Sequence, residues 1–365
     1  MDTNTNTMPP EYTTPPVYTT YPRLQVKACY NRACMAMLFQ FLIVNVISTV
    51  AMFFYGIVAG AQAMASGASP EELMASVTTG INPMFMITLN AICYLIANPV
   101  AYLIGNAMTK NHYRAKVFGR IKLPAVDCVI AVLAVLGLQG FSLLVQYAIM
   151  SVTQMSGVNE STAAMFTFSD NIAQNVIMVI YFVFIAAITE ELLCRGLVLK
   201  LFSPVSKKFA VVASAVLFGV MHGNFNQMFN GFLLGLVIGY IAVKSKSIWI
   251  PIICHMAANT NAMVLSYLEY KIGEDFISTE LIYAAVLVVV AIVSIVLLLK
   301  RNGKIDEEND GFPVETAIDV PEDVKPACKW KALLSTPCFW IFVVIYFFTA
   351  LIMLTPITQM IQEMP

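Results

Sequence analysis

Charge is scarce in this chain. Asp, Glu, Lys and Arg make up 12% of its 365 residues, against roughly 25% in ordinary soluble domains. With 59% hydrophobic residues and a mean hydropathy of +0.75, there are too few polar groups to coat a water-facing surface. A soluble globular fold is excluded. The net charge is −1 and no domain-wide basic patch is present, so no nucleic-acid partner is expected. Histidine is rarer still, with only His112, His222 and His255. The eight cysteines include no C-x-x-C pair and fall in apolar runs or beside basic residues, which argues against a disulfide framework. The opening stretch MDTNTNTMPPEYTTPPVYTTYP has no basic residue before Arg23 and no early apolar core, so it is not a signal peptide. Its Pro, Thr and Tyr content predicts a disordered cytoplasmic tail over residues 1–33.

Long apolar runs are what the sequence has in quantity. Runs of spanning length, about 20 residues, lie near 34–60, 82–105, 125–150, 172–199, 209–223, 228–243, 248–268, 279–299 and 338–356. They predict an all-α fold, a polytopic transmembrane helical bundle of about eight core spans plus one C-terminal span. The fifth and sixth are short, so they are tilted, sunk in protein or partly re-entrant. No internal repeat and no soluble domain is visible. Residues 301–337, with IDEENDGFPVETAIDVPEDV at the centre, read as a polar cytoplasmic linker. The expected organisation is the tail, N-terminal spans over 34–171, a core over 172–268, an eighth span over 269–300, the linker, and a C-terminal span over 338–365.

Basic residues set the orientation. With the N-terminus inside, every Lys and Arg falls on the cytoplasmic side except Lys271 and the intraspan Arg195. The opposite loops AQAMASGASPEELMASVTTG and MSGVNESTAAMFTFSD contain none. This asymmetry is the positive-inside pattern, and one span more or fewer would scramble it. It predicts an integral multi-pass protein with a cytoplasmic N-terminus, in the plasma membrane.

Ionisable groups inside such runs are costly, about 2.5–3.5 kcal/mol each on insertion scales, and are functional by default. In ITEELLCRGL, Glu191 and Arg195 stand at i,i+4, neighbours on one helix face, and can pair. Glu190 is turned about 100° away and has no built-in partner. An unpaired carboxylate in a low-dielectric site is a stronger base than one in water, as a general base at neutral pH must be. His222 follows Phe218 by one turn in VLFGVMHGNFNQ, and His255 shares a helix face with Asn259 in IICHMAANTNAM. Each feature alone has a plain structural explanation. A membrane His or Asn commonly bonds helix to helix, and a Glu–Arg pair locks a helix. Their convergence on neighbouring spans favours a site. At 1.5 Å per residue, Glu190 and His255 lie roughly 15 and 10 Å from the cytoplasmic end, and His222 roughly 20 Å. The fifth span therefore starts outside the bilayer or is strongly tilted.

EELLCR fits E-E-x-x-x-R, FGVMH fits F-x-x-x-H and HMAAN fits H-x-x-x-N. In this order the three motifs resemble the CPBP family of CAAX-protease and bacteriocin-processing intramembrane proteases, across about residues 172–268. The resemblance implies Glu190 as the base that activates water and His222 as the residue that positions it. His255 and Asn259 would stabilise the oxyanion, Glu191 and Arg195 would support the site, and Phe218 would pack beside it. The implied substrate is a membrane-associated peptide or protein in the lipid bilayer. No cofactor is favoured. Zn²⁺ is the alternative, with Glu190, His222 and His255 as a His₂Glu set, but H-E-x-x-H is absent, and a metal would itself polarise the carbonyl that Asn259 is placed to stabilise. Two other functions fit buried Glu and His: a proton-coupled transporter, disfavoured by the lack of repeats, and a non-catalytic membrane scaffold or immunity-type protein.

Overall fold

The computed structural model describes residues 22–67, 69, 82–109, 117–155, 167–273, 276–312 and 325–354. Among these residues there are helices and turns but no strand. The chain is an all-α bundle. In order the helices are α1 (Pro22–Ala65), α2 (Pro83–Met108), α3 (Ala125–Met155), α4 (Ile172–Phe202), α5 (Lys207–Val220), α6 (Phe225–Ser245), α7 (Trp249–Ile272), α8 (Phe276–Asn302), a short α9 (Trp330–Leu334) and α10 (Pro337–Leu354). Each of the nine apolar runs becomes one helix. Six of them, α1, α2, α3, α4, α6 and α8, are long and apolar enough to cross a membrane. The protein is an integral membrane protein.

The short fifth run is a 14-residue helix, about 21 Å long at 1.5 Å per residue, well under the roughly 30 Å of a bilayer core. It ends at Val220, so His222 sits in the turn between α5 and α6 rather than on a helix. That turn needs Gly223 at φ +66°, a conformation that disfavours residues with a Cβ. The sixth run is longer than its apolar stretch suggested, because the Asn224 side chain accepts from Gln227 N at 2.8 Å and starts α6 at Phe225. A polar cap, invisible to hydropathy, extends the helix by a turn.

The tail boundary also moves. Residues 1–21 lie outside the described residues, but 22–33, counted with the tail, form the first turns of α1. Val26, Cys29, Tyr30, Ala33, Cys34 and Met37 are buried at the three- and four-residue spacing of a helix face. Tyr30 donates to the Cys328 carbonyl at 2.9 Å. The flanks of the 301–337 stretch are likewise attached to the bundle, while residues 313–324 lie outside the described residues. Ser206 Oγ donates to Glu307 Oε1 at 2.8 Å, Lys208 N donates to the same oxygen at 3.3 Å, and Lys244 pairs with Asp310 at 2.7 Å. Glu307 thus supplies a carboxylate to the N-terminus of α5, where a helix favours negative charge. None of the eight cysteines is joined in a disulfide.

Glycines set the closest helix contacts. A Cβ on Gly137 of α3 would stand 2.3 Å from Ala291 N and 2.5 Å from Ala291 Cα of α8, so backbone faces backbone. Gly137→Ala forces the two helices apart, an overpacking cost of about 1–3 kcal/mol. The expected result is a lower midpoint of thermal unfolding in detergent. An unchanged midpoint would show that the contact is slack.

Candidate active site

Helix α4 is not uniform. Glu190 and Glu191 lie on a short α stretch, Ala187–Leu193, between π segments Ile180–Ala186 and Cys194–Val198. A π segment widens the helix and changes which carbonyl each N–H reaches, and such segments collect at functional sites. Here the Phe182 carbonyl accepts from Asn259 Nδ2 of α7 at 2.7 Å. One motif residue is therefore tied to the distorted turn that precedes the glutamates.

The i,i+4 pair forms as its spacing implies. Arg195 Nη1 lies 2.8 Å from Glu191 Oε1, and both side chains are wholly buried. The same oxygen also accepts from His255 Nδ1 at 2.9 Å, a contact between helices that no local spacing reveals. Arg195 has further anchors, its guanidinium 4.5 Å over the Phe218 ring and Nη2 donating to the Gly235 carbonyl at 3.3 Å. Phe218 stands edge-on to both histidines, at 5.1 Å from His222 and 5.7 Å from His255. The aromatic ring is the hub around which the three motifs meet.

The hydrogen bonds fix the tautomers. Glu191 beside Arg195 can only accept, so His255 Nδ1 carries hydrogen and Nε2 faces Glu190 Oε2 at 3.8 Å. A backbone carbonyl can only accept, so His222 Nδ1, 2.8 Å from the Phe218 carbonyl, also carries hydrogen and leaves Nε2 for the site. Gly231 of α6 lies beside this ring, where a Cβ would come within 3.0 Å of His222 Nδ1. Glu190 is 4% exposed and its Oε2 is buried without a hydrogen-bond partner among the described residues. Unsatisfied buried acceptors are rare and call for an explanation.

Other residues shape the site without belonging to a motif. Asn98 of α2, wholly buried, donates to Thr189 Oγ1 at 2.9 Å, one residue before Glu190. It carries the same sequence signal as Asn259, an amide within an apolar run. The Tyr94 and Tyr181 rings meet edge to face, centroids 5.5 Å apart, with Tyr181 buried and Tyr94 half-buried.

Glu190, Glu191, Arg195, Phe218 and His255 are thus brought together, with His222 on the turn beside Phe218, while Asn259 bonds to α4 at Phe182, about two turns before the glutamates. Residues 172–261 match the family model described as "Type II CAAX prenyl endopeptidase Rce1-like". Residues 172–261 are similar to that family. This supports the resemblance to CAAX proteases carried by the three motifs. The Rce1-like segment holds every motif residue and excludes α1 to α3, α8 and α10. A curated protein of Bacillus subtilis (strain 168), named "Putative membrane peptidase YdiL", is 26% identical over 102 residues, 26% of this chain and 42% of that protein. The match spans less than half of the relative. No solved structure matches the chain.

The donor set was tested for a metal. Among the described residues no group of three or more His, Cys, Asp or Glu converges as a metal site. Glu191 Oε1 and both histidine Nδ1 atoms are already engaged by protein partners. Bonds at Nδ1 leave each histidine Nε2 open, as in histidines that ligate a metal; no chemical step below runs through a metal.

Proposed function

We propose that this protein is an intramembrane endopeptidase that hydrolyses a peptide bond in a membrane-associated peptide or protein. The observation that carries the reading is the buried Glu190 carboxylate, whose Oε2 lacks a hydrogen-bond partner and faces His255 Nε2 at 3.8 Å. Residues 172–268 are the catalytic core in this reading.

Glu190 takes a proton from water as the water oxygen attacks the peptide carbonyl. His222, held through Nδ1 by the Phe218 carbonyl, offers Nε2 to orient that water. The oxyanion needs donors already in place. His255, its ring oriented by Glu191 through Nδ1, is the residue assigned to it together with Asn259. Asn259 has two amide hydrogens; one goes to the Phe182 carbonyl, which leaves the other for the oxyanion. Glu190 then passes its proton to the leaving amine. Arg195 balances the charge of Glu191. The substrate approaches from the lipid or from the cytoplasmic side; the positive-inside distribution supports a cytoplasmic N-terminus, and the plasma membrane is the proposed location.

The test is cleavage of a membrane-tethered peptide library by protein purified into lipid, for wild type and His222→Ala, with and without a chelator. Cleavage by wild type that survives chelation and drops at least about 100-fold in the variant, the lower end for a positioned acid–base group, is the expected result. Loss on chelation with recovery on Zn²⁺ would overturn the metal-free mechanism. No cleavage by folded wild-type protein would favour the scaffold reading.

A further inference from the structure

The residues of the proposed chemistry lie on α4, α7 and the α5–α6 turn, yet another helix reaches them. Helix α10 (Pro337–Leu354) lies outside the Rce1-like segment. A Cβ placed on Gly223, next to His222, would stand 3.2 Å from Thr349 Cγ2 and 3.6 Å from Tyr346 Cδ1. The Phe347 ring lies 6.2 Å from Phe225, at the start of α6. The C-terminal helix is therefore seated against the turn that carries His222.

Its rotation is specified. Tyr346 is 5% exposed, packs 4.7 Å from Phe342 and 5.1 Å from Phe41 of α1, and donates its hydroxyl to Gln40 Oε1 of α1 at 3.1 Å. Gln40 is 4% exposed. A buried amide and phenol are costly in an apolar interface unless they pair, and here their pairing turns Tyr346 and Thr349 toward the site. The opposite face, with Trp340, Val344 and Phe348, is exposed.

Glu190 and His255 are buried, whereas His222 and Asn259 are half-buried. A peptide that reaches Glu190 by the His222 edge passes Tyr346 and Thr349. We propose that α10 forms a wall of the substrate path and that Tyr346 is a specificity-determining residue, its ring limiting the size of the apolar side chain accepted beside the scissile bond. The lining there is an aromatic ring, a threonine methyl and Phe225, which suits a small apolar side chain of a membrane-tethered peptide. This inference rests on the protease reading, and its test separates the two.

The first measurement is contact without catalysis. Glu190→Ala protein in lipid carries a benzoylphenylalanine photocrosslinker at position 349, or at 344 on the exposed face, and is irradiated with a tagged membrane-tethered peptide library. Label transfer from 349 and not from 344 is expected. Equal transfer, or none from 349, would place the substrate elsewhere and overturn the proposal. The second measurement is choice of substrate. In the otherwise wild-type protein, Tyr346→Ala shifts the kcat/KM ratio of bulky to small apolar side chains upward by about tenfold or more, the scale set by a methylene or two in an apolar pocket. Tyr346→Phe keeps the ring and leaves that ratio in place. Thr349→Leu narrows the same wall and shifts the ratio the other way, which carries the test should Tyr346→Ala fail to fold. A uniform loss across the library in these variants would make α10 purely structural and overturn the proposal. Crosslinking at 349 by a wild-type protein that cleaves nothing would sink the protease reading while keeping α10 as the wall of a peptide site.

Discussion

Glu190→Gln lowers cleavage of a membrane-tethered peptide by about 1,000-fold, the middle of the range for a lost general base, equivalent to about 4 kcal/mol of barrier. The substitution keeps the shape and removes only the capacity to accept a proton. Glu190 is 4% exposed and Oε2 has no hydrogen-bond partner, so an amide there disturbs little packing. Thermal unfolding of the variant should match wild type, and KM should change far less than kcat. The contrast with Glu191 is informative. Its Oε1 is shared between Arg195 and His255, so Glu191→Gln affects folding and the orientation of His255 together. Two adjacent glutamates on one helix thus give different signatures. Activity within tenfold of wild type in Glu190→Gln would rule out this carboxylate as the base.

Most of the fold is legible from apolar runs, because a membrane chain must bury its backbone polar groups in helices. What hydropathy misses are features set by polar side chains. The Asn224 cap lengthens α6, the Glu307 carboxylate holds the start of α5, and the buried stripe from Val26 to Met37 extends α1. The site divides along the same line. The Glu191–Arg195 pair follows from helix geometry alone, since i and i+4 are neighbours. The Glu191–His255 bond joins residues 64 apart, and only the packing of α4 against α7 creates it. Asn259 and His255 share a face, but no local pattern directs Asn259 to the Phe182 carbonyl. That carbonyl lies in the π segment, which no periodicity announces. His222 and Phe218 look like one helical face, yet the helix stops at Val220 and a turn carries the histidine.

Arg195→Met is expected to destabilise the protein by about 3–5 kcal/mol, the cost of breaking a buried pair and leaving one charge behind. Both Arg195 and Glu191 are 0% exposed and 2.8 Å apart. With the guanidinium gone, Glu191 is a buried carboxylate held only by His255, and the Gly235 carbonyl and the Phe218 ring also lose their partner. Met fills much of the volume, so the loss is electrostatic rather than steric. The double variant Glu191→Gln, Arg195→Met removes both charges. It should recover most of the stability, because replacing a buried ion pair by uncharged groups is often neutral or favourable. Activity should not return with it. The amide that replaces the Glu191 carboxylate can turn its NH₂ toward Nδ1, so the ring of His255 loses the acceptor that orients it beside Glu190. Unfolding midpoints of wild type, single and double variants in detergent measure the coupling, and peptide cleavage separates folding from chemistry. A single variant as stable as the double would mean that Glu191 is not left as an uncompensated charge. A double variant that cleaves like wild type would remove the pair from the proposed mechanism and leave it a lock between helices.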